Sequence, residues 1–109
     1  MIQSHLEIQV HPGQRKAAIA ALGSRRIFEE CAETVRGFLG AELLLPEGAP
    51  DTLYIIARWQ DRDSVLAWLA SPVREAQNSD LARFAATLPT SRIMIAADYT
   101  FARLDSEYK

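Results

Sequence analysis

A tryptophan at position 59 stands where an apolar run ends: Thr52-Leu53-Tyr54-Ile55-Ile56-Ala57-Arg58-Trp59 gives way at once to Gln60-Asp61-Arg62-Asp63. A large aromatic at such a boundary is either a core packing residue or the wall of a pocket for an apolar molecule. Other groups able to do chemistry are few. The two histidines are His5 and His11. His5 lies among the polar residues of an alternating segment beside Glu7, where it would set register through buried polar pairing or serve as a general base. His11 falls in a turn. Cys31 is the single cysteine, so no internal disulfide can form, which fits a reducing cytoplasm. No His, Cys or carboxylate recurs at ligand spacing, so no metal is expected. There is no Gly-rich phosphate loop and no Ser-His-Asp pattern arguable from spacing.

The totals narrow the classes further. At 109 residues the chain is one domain, with 49% hydrophobic and 24% charged residues. Its net charge of −2 gives no electrostatic case for nucleic acid or an anionic membrane. No apolar run approaches the roughly 20 residues needed to span a bilayer. The opening MIQSHLEIQV alternates and lacks a basic n-region, so it reads as a strand and not a signal peptide.

The elements that must position these residues follow from periodicity. Ile2, Leu6, Ile8 and Val10 alternate with Gln3, His5, Glu7 and Gln9, predicting a strand that His11-Pro12-Gly13 ends. Ala17, Ala18, Ala21, Leu22, then Ile27, Phe28, Cys31, Ala32 and Val35 keep helical spacing, interrupted at Gly23-Ser24. One weakened helix or two short ones should run from Gln14, with Gly37 as the stop. Phe38–Leu45 and Thr52–Trp59 read as strands joined by a Pro- and Gly-containing loop. Asp61 or Asp63 caps a helix carrying Val65, Leu66, Trp68 and Leu69. Ser71-Pro72 opens another, whose buried side would be Ala76, Leu81, Phe84, Ala85 and Leu88 up to Pro89. Arg92–Phe101 is the expected last strand, and 102–109 a charged tail.

The order β-α-β-β-α-β predicts an α+β fold, a ferredoxin-like sandwich with a four-stranded antiparallel sheet covered by helices on one side. The uncovered face would carry His5, Glu7, Tyr54, Ile56, Arg58, Met94, Ala96 and Asp98. A mixed apolar and charged face of this kind suits a dimer interface, the alternative being a solvated surface.

The segments GFLGAELL and LYIIARWQDRDSVLAWLASP resemble the antibiotic biosynthesis monooxygenase (ABM) domain of the dimeric α/β-barrel superfamily. The shared pattern is a glycine-flanked strand ending Glu-Leu-Leu, a strand ending Arg-Trp, a polar helix start and a Leu-x-Ser-Pro join. His11-Pro12-Gly13 also stands where the family often has Pro-Gly, and the resemblance covers roughly residues 1–101. It implies a homodimer whose sheets face each other as a dimeric α/β barrel. It also implies a pocket in each subunit lined by Leu6, Ile8, Ile55, Ala57 and Trp59 from the sheet and Phe28, Cys31, Trp68, Val73 and Phe84 from the helices.

Three readings follow, two of them activities that the resemblance implies and one, non-enzymatic, favoured by the lack of polar donors near Trp59. One is oxygenation without a cofactor, in which a polyketide- or quinol-like phenol itself reduces oxygen. Trp59 is then the aromatic wall, and Asn78, Arg92 or Tyr99 the candidate polar group; Ile55 and Val65, placed where a donor would help, cannot donate. The second is ligand binding without turnover. The third is haem degradation: Trp68-Leu69-Ala70-Ser71-Pro72-Val73 is similar to that branch's helix join. Asn78, however, stands where its axial histidine is needed, and Leu6 near its strand-one asparagine, which disfavours haem.

Overall fold

The computed structural model describes residues 1–99 and 101. The alternating N-terminal segment forms β1 (Ile2–Gln9), followed by α1 (Arg15–Ser24), α2 (Ile27–Thr34), β2 (Phe38–Leu44), β3 (Thr52–Trp59), α3 (Arg62–Leu69), α4 (Pro72–Leu81), a 3₁₀ turn at Ala82–Phe84 and β4 (Thr90–Ile95). The strands form one antiparallel sheet in the order β2-β3-β1-β4, the ferredoxin-like α+β arrangement. Among the described residues no helix is long and apolar enough to cross a membrane.

Register decides which side chains meet. Ile2, Ser4, Leu6 and Ile8 stand opposite Trp59, Ala57, Ile55 and Leu53, and this row faces the helices. Gln3, His5 and Glu7 stand opposite Arg58, Ile56 and Tyr54 on the other face. A strand's period of two makes this separation complete.

Local chemistry explains the helices. Arg26 takes a left-handed conformation (φ 56°), which breaks the first helical region into α1 and α2. Asp61 caps α3, accepting from the backbone N–H of Ser64 at 2.8 Å and its hydroxyl at 2.7 Å. Both bonds, the hydroxyl's foremost, hold the Asp61 carboxyl below the usual aspartate value. Ser71 accepts from the N–H of Val73, with Pro72 opening α4.

Four sequence-based expectations are corrected. Gly37 is not the helix stop, since α2 finishes at Thr34. It is a point of close approach instead: a Cβ there would collide with the Ser64 side chain, whose own Cβ would be 2.7 Å away. The helix opened by Ser71-Pro72 does not reach Pro89 but ends at Leu81, and Leu88 is 91% exposed. The chain leaves the helix because it is recruited to β1: His11 N–H donates to the Phe84 carbonyl, Ala86 N–H donates to the Gln9 carbonyl, and Ala85 bridges Val10.

β4 runs Thr90–Ile95 and not Arg92–Phe101. Its neighbour β1 begins at Ile2, opposite Ile95, and one more backbone bond follows, Ala96 N–H donating to the Met1 carbonyl. Ala96 and Asp98 lie past the end of β4, Asp98 exposed in a bend. Fourth, Arg92 stands opposite His5 on the face away from the helices, and Tyr99 is 93% exposed beyond the strand, so neither reaches a pocket under the helices. The expected tail 102–109 lies outside the described residues.

Candidate functional site

The helix-facing core is divided in two. One cluster gathers Cys31, Val35, Ala57, Trp59 and Val65; the other gathers Val10, Ala18, Leu22 and Leu53. Leu6, Phe28 and Ile55 belong to neither cluster, although they lie on the same side of the sheet. What they border is a cavity of about 970 Å³ between the sheet and the helices. That volume is at the upper end of the roughly 300–1,000 Å³ of small-molecule sites.

Apolar residues dominate the lining. Leu6, Ile8, Ile55 and Trp59 form the floor on the sheet, and Phe28, Trp68, Asn78 and Phe84 stand around it from the helical layer. The structure thus brings together the residues placed at a pocket by sequence, except Val73, Arg92 and Tyr99, which do not line the cavity. Val73 sits at the first turn of α4, tied to the Ser71 cap. The cavity opens to solvent past Leu69, Asn78 and Leu88, all of them exposed.

Trp59 is core and wall at once. It is 2% exposed, meets Phe38 edge-on with ring centroids 5.2 Å apart, and still contributes to the cavity lining. Its single donor is committed, for Nε1–H donates to Ser4 Oγ at 3.0 Å. Ser4 also lines the cavity, as do Ser91, Gln77 and Thr87. Sequence reasoning missed these four. For Ser4 a signal existed: it is the one polar residue in the row Ile2, Ser4, Leu6, Ile8, Val10.

The polar boundary of the cavity is at α4. Gln77 is buried, and its amide donates to Glu30 Oε1 at 2.9 Å and to the Ile27 carbonyl at 3.3 Å. Arg25 joins the same group, 2.8 Å from Glu30 and 2.9 Å from Asp80. The Gln77 amide, with Arg25 behind it, holds the Glu30 carboxyl below the usual glutamate range. Burial pushes the Cys31 thiol up to about 12, so it is no thiolate nucleophile at neutral pH. Neither His5 nor His11 borders the cavity, leaving no imidazole to ligate a haem there.

On the opposite face His5 bonds Tyr54 Oη through Nδ1 and Gln3 Oε1 through Nε2, both at 2.9 Å. Arg58 lies 3.6 Å from Glu42. His5, Glu7, Tyr54, Ile56 and Arg58 share this face; Asp98 lies past the end of β4.

The family model described as antibiotic biosynthesis monooxygenase matches residues 1–78. The chain resembles the structure of a candidate antibiotic biosynthesis monooxygenase from Bordetella bronchiseptica, with TM-score 0.74 and 20% identity over 88% of this chain and 96% of that one. It also resembles SnoaB, a cofactor-independent oxygenase from Streptomyces nogalater, with TM-score 0.67 and 19% identity over 90% of this chain and 94% of that one. At these identities the likeness is one of fold. No curated protein sequence matches the chain.

Proposed function

The chain belongs to the antibiotic biosynthesis monooxygenase family, and from that premise we propose that it is a cofactor-independent monooxygenase of a small apolar or aromatic, polyketide- or quinol-like molecule held between sheet and helices. The observation carrying this reading is the split core: an apolar cavity of about 970 Å³ with Trp59 and Trp68 in its lining. SnoaB, similar in fold, is a cofactor-independent oxygenase. In the proposed reaction a hydroxyarene supplies the electrons. It loses its hydroxyl proton and the hydrogen on the para carbon, one atom of O2 becomes the new carbonyl, and the other leaves as water with those two hydrogens. The reaction balances without a further reductant, and the protein's part is to exclude water and stabilise the phenolate.

A second reading is a dimeric binder of such molecules without turnover. It is favoured by the apolar centre of the cavity, where Leu6 and Ile55 offer no polar atom. Aerobic incubation with 1-naphthol and no added reductant separates the two. Oxygenation predicts one O2 consumed per 1,4-naphthoquinone formed, well above the protein-free rate. Binding detected by calorimetry with oxygen uptake at the protein-free rate would leave only the binder.

We also propose that two copies pair through the outward sheet face, with His5, Glu7, Tyr54, Ile56 and Arg58 at the interface. Support comes from half-buried Ile56 and Tyr54 in the middle of that face, with Leu44 and Met94 exposed at 39% and 44% on the flanking strands. The buried, unpaired Cys31 is compatible with the reducing cytoplasm expected from sequence.

A further inference from the structure

The Trp59–Ser4 hydrogen bond leaves one proton unaccounted for. A serine hydroxyl has one donor and two lone pairs. Ser4 Oγ uses a lone pair to accept the indole N–H of Trp59 at 3.0 Å, and among the described residues it makes no other hydrogen bond. Ser4 lies on the helix-facing row of β1, opposite Ala57 and Ile93, and borders the cavity. Its flanking side chains on that row, Ile2 and Leu6, are apolar. Accepting from a ring locked by burial and by Phe38 turns the hydroxyl proton away from Trp59. The free O–H is therefore a donor available to a ligand in largely apolar surroundings, where a hydrogen bond discriminates most strongly.

We infer that Ser4 is the ligand-recognising donor of this cavity, giving its O–H to a neutral keto or phenolic oxygen of a ring-shaped apolar molecule, with Trp59 as the residue that positions it. Neutrality follows from the lining. The charged residues there, Arg74 and exposed Glu75, are both on α4, and the Arg74 guanidinium bonds the Leu69 carbonyl at 3.3 Å. The floor carries no charge to receive a carboxylate or phosphate. This inference rests on reading the cavity as a ligand site, and it adds which atom does the reading. Trp59 then acts through Ser4 and does not itself donate to the ligand.

The test compares 1-tetralone, an acceptor-only ketone, with tetralin, nearly the same shape without the oxygen, by calorimetry. The ratio of their dissociation constants in each variant isolates the contact with oxygen from packing. Ser4→Ala should reduce the preference for the ketone roughly five- to tenfold relative to the unsubstituted protein, as loss of one neutral hydrogen bond implies. Ser4→Thr should retain it, and Ser4→Cys, similar in shape with a weak donor, should fall between. Ser91→Ala, removing the other serine hydroxyl that the sheet gives to the lining, should leave it unchanged. If Ser4→Ala fails to fold, Ser4→Cys carries the same comparison. Binding of both ligands with an unchanged preference in the Ser4 variants, or loss of preference in Ser91→Ala alone, overturns the assignment and spares the pocket. Failure of the unsubstituted protein to bind either ligand removes the pocket reading and this assignment together.

Discussion

Trp59 has two duties that a single substitution cannot separate unless it is chosen with care. The ring fills the space between Val35, Val65 and Phe38, and its N–H fixes Ser4. Trp59→Ala removes both and should destabilise the fold by about 3–5 kcal/mol in urea titration. That is a large part of the roughly 5–15 kcal/mol available to a domain of this size, so lost activity in that variant would say little about chemistry. Trp59→Phe keeps most of the volume and is the better probe. At this scale the sequence was legible in part. Alternation alone puts Arg58 and Trp59 on opposite faces, and placing Trp59 with Leu6, Ile8 and Ile55 needs nothing more. Ser4 escaped because one polar residue in an apolar row looks like an imperfection until its partner is seen. That partner is 55 positions away, a separation no local pattern encodes.

The elements are held around the cavity by a polar tie as well as by packing. Gln77 and Asp80 on α4 meet Glu30 on α2 and Arg25 between α1 and α2, closing one side of the helical layer. The Glu30 carboxyl lies below its ordinary value of 4.5 in the folded chain, first through Gln77 and then through Arg25. A depressed folded value means its contribution is fully present above about pH 4.5 and is lost as pH falls through the folded value. Glu30→Gln should therefore flatten the acid side of a stability-against-pH curve, measured by urea midpoints below pH 4.5. An unaltered acid slope would show that the tie carries no proton linkage. Asp61, depressed by its Ser64 bonds, adds a loss of the same sign at lower pH and would remain in that variant. Element existence was plain from periodicity and from the Asp61 and Ser71-Pro72 caps. Where expectation failed, at the end of α4 and at both ends of β4, the deciding force was pairing with β1, which overrode an unbroken helical pattern through Leu88.

For the whole molecule, the two faces of one sheet are assigned separate tasks, the cavity under the helices and the proposed pairing outside. Ile56→Asp with Arg58→Asp tests the second without touching the first, since both side chains face away from the cavity. The unsubstituted protein should run as a dimer in light scattering after size exclusion, and the double variant as a monomer. An unchanged mass would contradict the barrel arrangement. Architecture was legible from the order of elements, whereas an opening in the core was not, because hydrophobic residues that pack and those that border a void look alike in a sequence. One detail of the fold bears on how a guest would get in. Ala85 pairs with Val10 and Thr90 with Glu7, so five steps of one chain match three of the other, and the surplus residues swing out at 87–89 beside the cavity. Pro89 has no N–H to draw that stretch back into the ladder, while backbone bonds fasten it on both sides. If the cavity takes a guest as proposed, this short stretch, tied at both ends, is the part of its rim that belongs to no helix. Shortening Leu88, already 91% exposed, to Ser should change stability by less than about 0.5 kcal/mol. It should nonetheless alter the on- and off-rates of 1-tetralone in stopped flow together, leaving their ratio nearly constant. That outcome would make residence time and folding stability separately adjustable in this architecture.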